Sequence, residues 1–353
     1  MKRTAAILTL GLYQTPDAKT AHGLVRGPSR FEIVGVVDEP AAGSDAGTLL
    51  DGRPRGIPVE KSLEELLERV RPDFCIVGVA THGGVLPAEF RAVLREALGR
   101  GIGVVNGLHE LLSRDPEMAE LARASGAEIV DIRAPHPRSE LHFWTGAVLS
   151  VRAPRIAVLG TDCAIGKRTT CQALVAACAE AGLRAGIVAT GQTGWLQGID
   201  HGFVLDATPN DFVSGELEHA IVSLAREREP ELIFLEGQSA LRNPSGPCGA
   251  ELILSGRAAG VVLQHAPARK HFDGFEELGL EIPPLSGEIE LVRLYGSRVI
   301  GIALNHAGLE ESALADARSS IARETGLPVV APLLEGCGAL VPALRELLRE
   351  SRA

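Results

Sequence analysis

Nowhere in the 353 residues does an apolar run approach the ~18 that a membrane-spanning helix needs, so a membrane partner is not expected. Positive charge is also scarce: the net charge of −10 excludes a general nucleic-acid surface, and any anionic ligand must be held by local cations. There is no Cys-x-x-Cys pair. The six cysteines, Cys75, Cys163, Cys171, Cys178, Cys248 and Cys337, show no Cys/His metal spacing, which fits a reduced, cytoplasmic setting. Internal repeats, low-complexity tracts and long charge runs are missing too. The apolar stretch at 5–12 follows Lys2 and Arg3 as in a signal peptide, but no small-x-small cleavage site follows it. It is expected to be a first buried strand.

What is present is a repeating alternation. Short apolar runs at 3–10, 31–37, 74–79, 102–105 and 128–132 read as buried strands, with helical patterns between them. One such helix opens on Ser62 and Glu65, a capping-box pair, and carries Leu63, Leu66, Leu67 and Val70 as its apolar stripe. Alternating strands and helices imply a parallel sheet, so this half reads as a Rossmann-like domain, residues 1–150. A dinucleotide is not expected there. The stretch 11–23 is not G-x-G-x-x-G, although Asp38 stands where a ribose-binding acid often falls. Prolines around 134–138 interrupt regular structure, and the pattern restarts at Arg155. The remainder, residues 151–353, reads as a second α/β domain of P-loop NTPase-like type.

That second domain begins with the most informative stretch in the chain. An apolar strand from Arg155 runs into Gly160, Thr161, Asp162, Cys163, Ala164, Ile165, Gly166, Lys167, Arg168, Thr169 and Thr170, where a helix begins. Backbone N–H groups curled at a helix N-terminus, a mobile lysine and a threonine hydroxyl are the parts of a phosphate-binding loop. Two features depart from G-x-x-x-x-G-K-[ST]. Five residues separate the glycines, and Arg168 stands where a serine or threonine is expected. Any metal held here must therefore take its hydroxyl from Thr169. The longer loop resembles that of dethiobiotin synthetase and related amide-forming enzymes.

Further candidates fall at strand ends, which share one sheet edge with the loop. Gln192 and Thr193 follow the strand at 185–189 and are placed to meet a ligand extending from the phosphates, or to form a plain glycine turn. Asp211 either caps a helix or holds a substrate amine or metal. Glu236 closes the run 231–235 and is followed by Gln238; a carboxylate there orients Mg²⁺ or activates a nucleophile. His265 and Arg269 lie just after another strand and suit a carboxylate or a distal phosphate, or else form a solvated basic turn. Cys248 has no adjacent base and is not expected to be a nucleophile.

Taken together, the loop at 160–170, Ala189-Thr-Gly-Gln-Thr-Gly194, Asp211 and Phe212 with Gly215 and Glu218, Glu236-Gly-Gln238, and His265 with Arg269 resemble a bacterial and archaeal P-loop family. That family was long catalogued as a domain of unknown function, and some members are D-glutamate (D-amino-acid) N-acetyltransferases. The resemblance spans nearly the whole chain. It implies acetyl-CoA as donor, its phosphates gripped by residues 160–170 through Lys167, and a small amino-acid substrate met by Gln192, Thr193, Asp211, Gln238, His265 and Arg269. Glu236, or a water it orients, would take the amine proton. Two alternatives stand beside it: ATP- and Mg-dependent phosphoryl transfer or ligation, with Thr169 and Glu236 on the metal, and nucleotide sensing without turnover. A homo-oligomer is the expected assembly.

Overall fold

The computed structural model describes residues 2–352, which divide into two compact units. The first comprises residues 2–135 together with Gln192–Asp200; the second comprises 136–191 and 201–352. The fold class is α/β, with a parallel six-stranded sheet in each unit.

In the first unit the strands are β1 (Thr4–Leu8), β2 (Glu32–Val37), β3 (Val59–Glu60), β4 (Phe74–Val77), β5 (Gly103–Asn106) and β6 (Ile129–Asp131). Their order, β3-β2-β1-β4-β5-β6, is that of a Rossmann sheet. Apolar residues cover both faces. Leu8, Val77, Phe90 and Leu94 pack on one side, and Ile7, Ile76, Leu24 and Tyr13 on the other. Such two-sided burial is why these strands read as continuous apolar runs rather than as alternating ones. The two-residue β3 gave no such run and was legible only in the structure.

Asp38, immediately after β2, is buried and turned inward. One carboxylate oxygen accepts from the Thr9 hydroxyl at 2.8 Å and from the backbone N–H groups of Gly11 and Tyr13 at 2.8 and 3.0 Å. The acid that reads a ribose in dinucleotide-binding sheets is here a brace for the loop after β1.

The second unit has β7 (Arg155–Gly160), β8 (Ala185–Val188), β9 (Leu232–Glu236), β10 (Ala258–His265), β11 (Val299–Leu304) and β12 (Val329–Val330), in the order β12-β11-β10-β7-β9-β8. β7 lies centrally between β9 and β10. Its register pairs Val158 with Glu236 and Gly160 with Gln264, so three chain segments leave the sheet side by side. Leu159, Leu235 and Leu263 pack on one face, and Val158, Phe234 and Val262 on the other.

The long helix Asn210–Arg228 holds down the segment that enters this unit. Gly215 lies so close to it that a Cβ there would meet the His142 carbonyl oxygen at 1.9 Å. Three residues on, buried Glu218 accepts from the Thr145 N–H and hydroxyl at 2.7 and 2.8 Å, and from the Val148 N–H at 3.2 Å. Burial by itself would raise the Glu218 pKa, but these donors outweigh it and hold the carboxylate below its ordinary value. Gly215 and Glu218 therefore serve packing and anchorage. Glu218→Ala leaves buried donors without an acceptor and should cost about 1–3 kcal/mol, read as a lower midpoint in urea unfolding.

Candidate functional site

The phosphate loop begins where β7 ends and closes at the helix Lys167–Glu180. Two positions inside it have positive φ, Ala164 at 52° and Gly166 at 104°. This αL backbone makes the loop curl and favours glycine at 166. Gly160 is required by crowding instead: a Cβ there would sit 2.9 Å from Ile165 and 3.1 Å from the Lys167 side chain. No side chain caps the N-terminus of the helix, so its first-turn N–H groups face the loop with the positive end of the dipole.

Buried side chains hold this curl from outside. Asp162 is fully buried. It accepts from Arg269 Nη1 at 2.7 Å, from the Asp273 N–H at 2.9 Å and from Asn243 Nδ2 at 3.1 Å. Arg269 Nη1 donates also to the Cys163 carbonyl at 2.8 Å, and Asn305 donates to the Ile165 carbonyl at 3.1 Å. The Thr161 N–H donates to the Gln264 carbonyl at 3.0 Å, while the Thr161 hydroxyl lies 3.0 Å from His265 Nδ1. Thr170 is buried and gives its hydroxyl hydrogen to the Gln264 side chain.

Lys167 is buried as well. Its ammonium donates to the Asp162 carbonyl at 2.6 Å and to the Ser239 carbonyl at 2.8 Å, and burial pushes its pKa down. Neutral carbonyls satisfy its geometry without neutralising its charge, so the cation keeps its attraction for an anion.

Glu236 stands beside the loop at the end of β9, only 4% exposed. One of its oxygens accepts from the Thr190 N–H at 3.2 Å; the other lies 3.9 Å from Arg168 Nη1. Burial pushes its pKa up, and Arg168 draws it partly back. A carboxyl with a raised pKa is suited to accept a proton near neutral pH. Gln238 is tied to the same neighbour, donating to the Thr190 carbonyl at 3.0 Å. Cys248 donates to Glu251 at 2.8 Å, and burial holds its thiol in the protonated form.

The structure thus gathers residues 160–170, Glu236, Gln238, His265 and Arg269 around one loop. Arg269 reaches the loop through Nη1, which is held by Asp162 and the Cys163 carbonyl. Gln192 and Thr193 belong to the first unit. There Gln192 accepts from Arg133 at 2.9 Å and Thr193 meets Thr20 at 3.3 Å. Asp211 is exposed in the first turn of the helix Asn210–Arg228, where its charge complements the helix dipole. Asn243 and Gln264 were not singled out from sequence; their place opposite Asp162 and Thr170 depends on pairings across 81 and 94 residues. Among the described residues no cluster of His, Cys, Asp and Glu is arranged to hold a metal ion, and no helix is long and apolar enough to cross a membrane.

A Rossmann-type unit joined to a unit with a phosphate loop defines a two-part α/β P-loop protein. The chain belongs to the DUF1611 family: the family's P-loop domain matches residues 142–341 and its Rossmann-like N-terminal domain matches 39–135. A protein of Tritonibacter scottomollicae named D-glutamate N-acetyltransferase is 30% identical over 355 residues, covering 98% of this chain and 99% of that protein. A second protein of that name, from Pseudoalteromonas sp, is 29% identical over 277 residues, or 76% of this chain and 80% of its own. The crystal structure of a DUF1611 family protein from Anabaena variabilis superposes with a TM-score of 0.89 at 32% identity, covering 98% and 99% of the two chains.

Two outcomes follow from the loop's supports. Arg269→Ala strands a buried carboxylate and should cost about 3–5 kcal/mol in denaturant unfolding; a rise in acceptor KM with stability unchanged would instead assign Arg269 to the substrate. His265 is held neutral, its pKa lowered from 6.5 to about 4 by burial. The unfolded chain then binds the proton first, so native stability falls as pH drops from 6.5 towards 4, with no contribution from this group above that window. His265→Asn should flatten that part of the stability profile, measured as urea midpoints against pH.

Proposed function

We propose that this chain is an N-acetyltransferase that moves an acetyl group from acetyl-CoA to the amine of a D-amino acid, D-glutamate being the first acceptor to test. The observation that carries this reading is the identity, maintained over 98% of the chain, with a relative named for that activity. The loop supports it independently. Coenzyme A carries a pyrophosphate, and the curled backbone with its uncapped helix N-terminus suits one.

When bound, acetyl-CoA supplies the acetyl group as an activated thioester. The N–H groups of residues 162–166 and the Lys167 ammonium grip its phosphates; Lys167 exchanges carbonyl partners for anionic oxygens, a stronger class of hydrogen bond. Glu236, with its raised pKa, receives the proton that the amine loses as its nitrogen bonds to the acetyl carbon. Gln238 borders the same space and orients the acceptor. The net change forms an amide, breaks the thioester and releases the CoA thiol.

ATP- and Mg-dependent transfer is the competing reading, since the same sheet order and strand-end acid serve nucleotide chemistry in other P-loop enzymes. The Arg168–Glu236 pair favours acetyl transfer over it.

Incubating the full chain with acetyl-CoA and D-glutamate should release CoA thiol in step with N-acetyl-D-glutamate, with no nucleotide consumed. Lys167→Ala should lower kcat/KM at least about tenfold, equivalent to ~1.4 kcal/mol, mostly through the KM for acetyl-CoA. Glu236→Gln should act chiefly on kcat. ADP formed from ATP in place of free thiol would sink the proposal, and ligand binding without any product would favour a sensor.

A further inference from the structure

A phosphate loop that works with Mg²⁺ supplies a hydroxyl from the residue after its lysine and places a strand-end carboxylate opposite. This chain has the carboxylate, Glu236, but Arg168 in place of the hydroxyl. Three observations describe what the substitution does. Arg168 Nη1 lies 3.9 Å from Glu236 Oε1, so a guanidinium occupies the side of the carboxylate that a metal would need. The other Glu236 oxygen accepts from the Thr190 N–H, and the Thr170 hydroxyl is spent on Gln264. Arg168 Nε is buried and has no hydrogen-bond partner among the described residues, and the side chain as a whole is 20% exposed.

A divalent cation placed against Glu236 would be pressed against a fixed positive charge, and would find Thr169 as the one remaining hydroxyl of that first turn. The residues present do not make a magnesium site. They do make a monovalent cation that is held by an acid on one side and has donor capacity left over. A buried, unpartnered N–H of a guanidinium is costly unless an acceptor arrives, and planar guanidinium groups are well matched to phosphate oxygens.

We infer that Arg168 is the built-in counter-cation of this loop, so that it takes a pyrophosphate-bearing ligand without any divalent metal. The inference deepens the proposed function and rests on its reading of the loop as a phosphate seat. Arg168 joins Lys167 in neutralising the phosphates, and Glu236 positions Arg168 before the ligand arrives. When the guanidinium turns to phosphate, its hold on Glu236 weakens, which leaves the carboxylate freer to accept a proton. A ligand class follows: phosphate esters and anhydrides in their metal-free form, as coenzyme A is, rather than nucleotides that act as magnesium complexes.

The test is calorimetric titration of the full chain with CoA and with ADP, each in EDTA and in millimolar Mg²⁺. Both ligands should bind no more than threefold more tightly with Mg²⁺ than without it. In EDTA, Arg168→Ala should weaken CoA binding more than threefold while the thermal unfolding transition is kept, and Arg168→Lys should retain most of the affinity. A gain of more than threefold on adding Mg²⁺ to the unaltered protein overturns the inference, as does a folded Arg168→Ala that binds CoA within threefold of the parent. If Arg168→Ala does not fold, the metal comparison on the unaltered protein decides by itself. Metal-independent binding of both ligands with no acetylated product would remove the acetyl-transfer reading and leave this inference standing. Metal-dependent ADP binding alongside acetyl transfer would do the reverse. No binding of either ligand in either buffer would overturn both.

Discussion

A phosphate loop must keep several N–H groups converging on one point even when no anion is there to reward them. In this chain that constraint falls on Asp162. Its carboxylate is completely buried and draws together Arg269, Asn243 and the backbone of Asp273, contributed by two separate segments of the second unit. Removing a charge from water is expensive, and one hydrogen bond would not offset it. Three donors, one of them a guanidinium, do, and the same contacts fix the loop's outer edge. Asp162 thus spends its charge on shape, which leaves the inner face of the loop to backbone dipoles and to Lys167.

This division of labour keeps the loop's two cations, Lys167 and Arg168, from direct hydrogen bonds to its acids. Lys167 rests on two carbonyl oxygens, and Arg168 pairs with Glu236 at 3.9 Å, longer than a hydrogen bond. Neither cation is neutralised at hydrogen-bonding distance by a carboxylate, whereas Arg269 is. In a protein of net charge −10 such local accounting matters more than the total. A loop already curled also needs little reordering to bind, which lowers the entropic cost of association.

The outline of this arrangement was legible in the sequence because its signals are local. Buried parallel strands are apolar runs, and the loop at 160–170 carries its glycines, lysine and helix start within eleven consecutive positions. The Rossmann-like and P-loop classes follow from that alternation, and the family resemblance follows from motifs spread over the chain. What was not legible depends on distance. The contact of Arg269 with Asp162 joins residues 107 positions apart, which no local signal reveals. Gly215 and Glu218 carried only the family resemblance, and the packed helix shows them fastening residues 142–148. That residues 192–200 leave one unit at a strand end and join the other was likewise not legible from their place after a strand.

The first unit shows the same principle in reverse. Its sheet has the strand order of dinucleotide-binding domains, yet Asp38 accepts from Thr9, Gly11 and Tyr13 and so closes the loop after β1 on itself. That carboxylate is 1% exposed and turned towards its own chain. In the two units a strand-end acid therefore has opposite fates. Asp38 is consumed by backbone and hydroxyl donors and becomes structural, whereas Glu236 is under-supplied with donors, buried, and left with a raised pKa. Fold alone places both acids at strand ends where ligands usually bind; the donors around each decide how its charge is held.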